Sequence, residues 1–159
     1  MMDSGHYTHL LLAVDFEPSG VPVIARARQL RALFGARLTL LHVLEHVTAA
    51  QEYLPLGFGG DLPVPDDLGL EQELLDIARR QLDVVGDTLE VAAADRLVRV
   101  GPPGHTIDTV ATEVGADLVI VGSHGQHGFL GLFGSTAKAV LRSLNCDVLC
   151  VKLAEVADA

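Results

Sequence analysis

Tryptophan is absent from this chain of 159 residues, and aromatic residues make up only 4% of it. Its core must therefore be aliphatic, which suits buried Val/Leu/Ile strands covered by Ala/Leu helices. Cysteine is scarce too: Cys146 and Cys150 are too few for a disulfide framework and point to a reducing compartment. They do not form a CxxC pair, and Cys150 falls in a strand-like run, so inert packing is the expected role. Long hydrophobic runs are lacking. "LLLAV" and "LVIV" are the longest, far short of the roughly 20 apolar residues of a spanning helix. The opening "MMDSGHYTH" has neither the basic region nor the apolar stretch of a secretory signal, so a cytoplasmic protein is expected. Positive charge is also short, with 11 Lys and Arg against 21 Asp and Glu and a net charge of −10. That balance argues against binding bulk nucleic acid or an anionic membrane, and any anionic ligand must be held by local groups.

What is present alternates. "HLLLAVD" (His9–Asp15) reads as a first buried strand. Val23, Ala27, Leu30 and Phe34 recur at helical spacing, and Gly35 sits where that helix would end. "RLTLLHV" (Arg37–Val43) is a second strand, followed by an irregular segment, 45–65, punctuated by Pro and Gly and read as a long surface loop. Asp66 and Asp67 can cap a second helix, whose stripe is Leu74, Ala78, Leu82, Val85 and Leu89. "RLVRV" (Arg96–Val100) is a third strand, stopped by "GPPG". Ile107, Val110, Ala111 and Val114 mark a third helix ended by Gly115, and "DLVIVG" (Asp117–Gly122) is a fourth strand. Ala137, Val140, Leu141 and Leu144 mark a fourth helix, and "DVLCVK" (Asp147–Lys152) is a fifth strand. Five strands alternating with four helices imply one α/β domain over residues 1–159, its ordered core about 7–153, with an open, doubly wound parallel sheet and helices on both faces.

Between the fourth strand and fourth helix runs "VGSHGQHGFLGLFGST", with glycines at 122, 125, 128, 131 and 134. The period is that of collagen, but the run is short and has no proline. Its place, between a buried strand and a helix start, suggests an anion site instead. The amides and hydroxyls of Gly134, Ser135 and Thr136 open the helix and can hold a phosphate. Read structurally, Ser135 would merely cap the helix and the glycines merely turn the chain. There is no Gly-x4-Gly-Lys-Ser/Thr and no Gly-x-Gly-x-x-Gly after the first strand, so neither a P-loop nor a dinucleotide fingerprint is present.

"AVD" ending at Asp15, "LTLLHV", "ADLVIVGSHG", "GSTAKAVL" and "CDVLCVK" together resemble the universal stress protein family over nearly the whole length. The resemblance implies strand order 3-2-1-4-5, an adenine nucleotide alpha hydrolase-like fold, with Asp15 beside Gly122 where strand order reverses. It implies a regulatory protein of the stress response rather than an enzyme. Its ligand would be ATP or AMP, with Mg2+ carried by the nucleotide. Asp15 and Val43 would lie near the adenosine. Gly122, Ser123 and Gly125 would line the ribose and phosphate approach, and Gly134, Ser135 and Thr136 would hold phosphates. It further implies a homodimer joined through the fifth strand, along Val148, Leu149, Cys150 and Val151. The nucleotide-binding pattern of the family is Gly-x2-Gly-x9-Gly-Ser/Thr, whereas here only eight residues separate Gly125 from Gly134. The alternative is a nucleotide-free stress protein acting through dimerisation and an unidentified protein partner.

Other readings are weaker. His42, His46, His124 and His127 lack the further ligands a metal site needs and read as polar loop or strand-end residues. Asp15 alone could be only a turn former. A phospho-receiver domain needs an acceptor Asp after the third strand, where this chain has "VGPPG". A flavin domain would want a phosphate loop after the first strand, where "FEPSG" is a poor candidate. No nucleophile–base pair or carboxylate dyad suggests catalysis.

Overall fold

The computed structural model describes residues 5–45, 67–123, 140 and 142–152. Five parallel strands, β1 (His9–Ala13), β2 (Arg37–Leu44), β3 (Arg96–Val100), β4 (Leu118–Gly122) and β5 (Asp147–Val151), form one sheet in the order β3-β2-β1-β4-β5. This is the expected order. β1 and β4 are buried at every position because both their faces are covered, so their sequences are apolar without alternation.

The helices divide between the faces. On one, Leu10, Leu12, Leu38, Leu40 and Ile120 pack against Val23 and Ala27 of α1 (Val21–Phe34) and Leu82 of α2 (Asp67–Thr88). On the other, Leu11, Ala13, Leu41, Val119 and Val121 pack against Ile107, Val110 and Ala111 of α3 (Pro103–Val114), with Val140. Gly35 and Gly115 end α1 and α3 in the left-handed conformation, at φ 61° and 70°, as their positions in the sequence suggested. Pro103 opens α3 at its first turn, where a missing N–H costs nothing. The loop 45–65 beyond Glu45, the Asp66 cap, the glycine stretch from His124 and most of the fourth helix lie outside the described residues.

β1 is shorter than expected. It ends at Ala13, although Val14 N–H still donates to the Leu41 carbonyl at 2.8 Å. Asp15 leaves the ladder because its carboxylate turns to accept the Glu17 amide at 3.0 Å. At the other end of the sheet, the Asp117 carboxylate accepts the amides of Thr8 and His9 and the Thr8 hydroxyl. Burial alone would raise the pKa of that carboxyl, but these bonds outweigh it and hold it below its ordinary value.

Arg96 fastens β3 to α2. Its guanidinium donates to the carboxylates of Asp83 and Asp87 and to the Asp83 and Val91 carbonyls. It lies directly over Gly86, where a Cβ would meet Arg96 Nε at 2.2 Å. The mid-helix glycine is thus room for the arginine. Gly86→Ala should lower Tm by about 3 °C, because displacement of Arg96 outweighs alanine's helix propensity. In an Arg96→Ala background, which clears the space, the same change should raise Tm. Thermal melts of the four proteins in this cycle check it.

Candidate functional site

The carboxyl ends of β1 and β4 open into a cleft of about 360 Å³ between α1 and α2. Its walls are apolar, with Leu12, Val14, Val23, Ile24 and Val85, and its mouth carries Asp15 and Glu17. No basic side chain is among the described lining residues. Gly122, at the end of β4, completes the floor. Asp15 and Gly122, which the sequence resemblance placed side by side, therefore share one cleft.

The turn leaving β1 is tightly specified. Asp15 Oδ1 accepts the Glu17 amide, and the Gly20 amide donates to the Glu17 carbonyl at 2.8 Å. A Cβ at Gly20 would stand 3.2 Å from Asp15 Oδ1, so this glycine keeps the carboxylate uncrowded. Phe16 adopts φ 64°, a left-handed conformation that strains a residue of its size. Its ring lies over the His42 imidazole, centroids 4.3 Å apart and planes 31° from parallel. His42 Nδ1 donates to the Val14 carbonyl at 2.6 Å, which fixes the tautomer with hydrogen on Nδ1. Burial pushes the His42 pKa down; the Val14 carbonyl and the Asp15 carboxylate pull the other way without cancelling it.

The remaining site residues divide. Val43 is buried in the α3-side core, so its side chain is turned away from this cleft. Ser123 is buried just past β4, and its amide donates to the Val151 carbonyl at 2.8 Å. Gly125, Gly134, Ser135 and Thr136 lie outside the described residues. On β5, Val148, Leu149 and Cys150 are half-buried and Val151 is buried. Cys146 and Cys150 are free, and burial raises both thiol pKa values, as packing residues would show. Among the described residues no group of three His, Cys, Asp or Glu side chains could hold a metal ion. His46, His124 and His127 are outside them.

Sequence reasoning overlooked Phe16 and took His42 for a polar strand-end residue; the structure makes His42 a largely enclosed ring with a defined partner. The signal for His42 was available in "RLTLLHV". Period-2 alternation places it on the same face as Leu38 and Leu40. Nothing in the sequence announces a positive φ at Phe16.

A sequence profile of the universal stress protein family matches residues 6–152. Universal stress protein A homolog 1 of Coxiella burnetii is 35% identical over 150 residues, covering 94% of this chain and 99% of its own. Universal stress protein MJ0577 of Methanocaldococcus jannaschii is 25% identical over 154 residues, covering 92% of this chain and 95% of its own. The solved structure of MJ0577 superposes with a TM-score of 0.74 at 23% identity, covering 95% of this chain and 99% of its own. A universal stress protein in complex with cAMP superposes with a TM-score of 0.56 at 25% identity, covering 92% of this chain and 98% of its own.

The strain at Phe16 is measurable. Phe16→Ala loses the ring and keeps the left-handed backbone, whereas Phe16→Gly loses the ring and releases the strain. The glycine variant should be the more stable of the two by about 1 kcal/mol, the reverse of the usual order. Urea denaturation of both variants checks it.

Proposed function

The chain belongs to the universal stress protein family, and on that premise we propose that it is a cytoplasmic regulatory protein that binds an adenine nucleotide at the carboxyl edge of its sheet. The observation that carries this reading is the meeting of Asp15 and Gly122 in one cleft where β1 and β4 are neighbours. This is the point in an open α/β sheet where ligands sit. The nucleotide class draws support from the structural neighbour in complex with cAMP. Asp15 takes the ribose, and Gly122 and Ser123 form the path to the phosphates. Gly125, Gly134, Ser135 and Thr136 complete the phosphate cradle, a role that rests on the sequence pattern alone. Since the Val43 side chain is in the opposite core, adenine is met there by backbone. The cleft mouth is acidic, so the phosphates depend on helix amides and on Mg2+ arriving with the nucleotide.

The second reading, a nucleotide-free protein acting through its dimer and a protein partner, is favoured by one feature. Two carboxylates and no described basic side chain line the cleft, and the loop beyond it is one residue short of the family pattern. In both readings the molecule is a homodimer through β5. The Val151 carbonyl faces β4, where it accepts the Ser123 amide. By alternation, Leu149 also turns its main-chain groups inward, while Val148 and Cys150 present theirs at the free edge.

Calorimetric titration of ligand-stripped protein with ATP and Mg2+ decides between the two. Binding is expected, with Asp15→Ala and Ser135→Ala each weakening it by about 1 kcal/mol, the scale of one net hydrogen bond. Gly134→Val should abolish it while the far-ultraviolet dichroism is kept. No heat and no thermal shift at millimolar ATP would leave the nucleotide-free reading standing.

The dimer has its own test. Cys150→Pro removes an outward N–H and should shift sedimentation towards monomer at micromolar concentration with the sheet intact. Val151→Pro should instead damage the β4 ladder and lower Tm. A monomeric wild type would rule the interface out.

A further inference from the structure

We propose that His42 is the positioning residue of the Asp15 turn and makes ligand binding there sensitive to pH. The inference takes its ligand from the nucleotide reading, but the device itself is a feature of the fold. Val14 is the last residue before Asp15, and its two main-chain groups are both held by β2. Its amide donates to the Leu41 carbonyl, and its carbonyl accepts His42 Nδ1 at 2.6 Å. The next residue, Phe16, is kept in a strained left-handed conformation with its ring against the same imidazole. Asp15 is thus gripped from both sides by contacts that converge on one histidine, and in that conformation it lines the cleft.

Since Nδ1 already carries the hydrogen given to Val14, an added proton must go on Nε2. The imidazolium would be enclosed beneath the Phe16 ring. Asp15 is the charged group, among the described residues, that acts on the ring; its register partner on β3 is the apolar Val98. The charge is relieved either by drawing the Asp15 carboxylate inward or by opening the turn, and both withdraw Asp15 from the ligand. Burial lowers the His42 pKa below its ordinary value of about 6.5. The closed turn is therefore fully favoured above that ordinary value and loses ground as pH falls from it towards the lower closed-state pKa.

The test compares wild type, His42→Gln and His42→Phe by ATP–Mg2+ calorimetry at about pH 7.5 and about pH 5.5, on either side of the ordinary histidine pKa. The Glu17 amide, bonded to Asp15 Oδ1, is followed by NMR across the same range without ligand. Glutamine keeps a donor for Val14 but does not titrate. His42→Gln should bind like wild type at the higher pH and lack the added loss at the lower one. That added loss should be at most about tenfold, since pH 5.5 lies about one unit below the ordinary histidine pKa. The nucleotide's own phosphate titration is common to every variant and cancels. His42→Phe should bind weakly at both. The wild-type Glu17 resonance should titrate with the imidazole and stay still in both variants. A Glu17 shift independent of His42, or a pH dependence unchanged in His42→Gln, overturns the proposal. Absence of ATP binding at the higher pH overturns the nucleotide reading alone, and the Glu17 titration still decides the role of His42.

Discussion

Leu10, Leu11 and Leu12 of β1 stand in parallel register with Leu118, Val119 and Ile120 of β4, and all six are fully buried or nearly so. The rest of the molecule depends on this pairing. It joins the half of the sheet built through α1 and α2, β1 to β3, to the half formed by β4 and β5, which the chain reaches from β3 through α3. Because β1 is followed by β2 on one side and β4 by β5 on the other, the carboxyl ends of β1 and β4 mark the point where strand order reverses. The cleft is what remains there, so the site follows from the winding of the chain.

The two ends of the β1–β4 pair are finished differently. At the amino end, one Asp117 carboxylate closes the main chain of Thr8 and His9, and Tyr7 reaches across to the Asp147 carboxylate. These polar groups find partners within the chain. At the carboxyl end, Asp15 satisfies one backbone amide and faces a cleft, while Phe16 holds a conformation that costs energy. Strain of this kind persists only where surrounding contacts over-determine it. The ring stack on His42 and the doubly bonded Val14 supply those contacts.

The fold was legible in the sequence because hydrophobic periodicity and two glycine caps carried it. α1 and β3 fall where the pattern put them, and Gly35 and Gly115 are left-handed as expected. The strand order came from family resemblance, since periodicity alone does not say which strands are neighbours. Asp15 and Gly122 were legible for the same reason. Three features were not. The β1 boundary slipped by two residues because an Asp carboxylate competes for backbone donors, which hydropathy does not register. Gly86 drew no reading from the helix pattern, whereas Arg96, ten residues on, needs the space above it. Phe16 was missed because its pairing with His42 joins a loop to a neighbouring strand and leaves no spacing to detect, whereas the alternation that places His42 on the core face was present in the sequence.

The acidic character of the protein bears on the chemistry at the cleft. With a net charge of −10, the overall field repels an anion at long range. Salt screens that field within about 8 Å at physiological ionic strength. Fixed dipoles at a helix start act at contact distance and are unaffected by the distant carboxylates. Selectivity at such a site therefore comes from geometry at the last few ångströms. The position of the Asp15 turn belongs to that geometry, and in this chain it is set by one histidine on the adjoining strand.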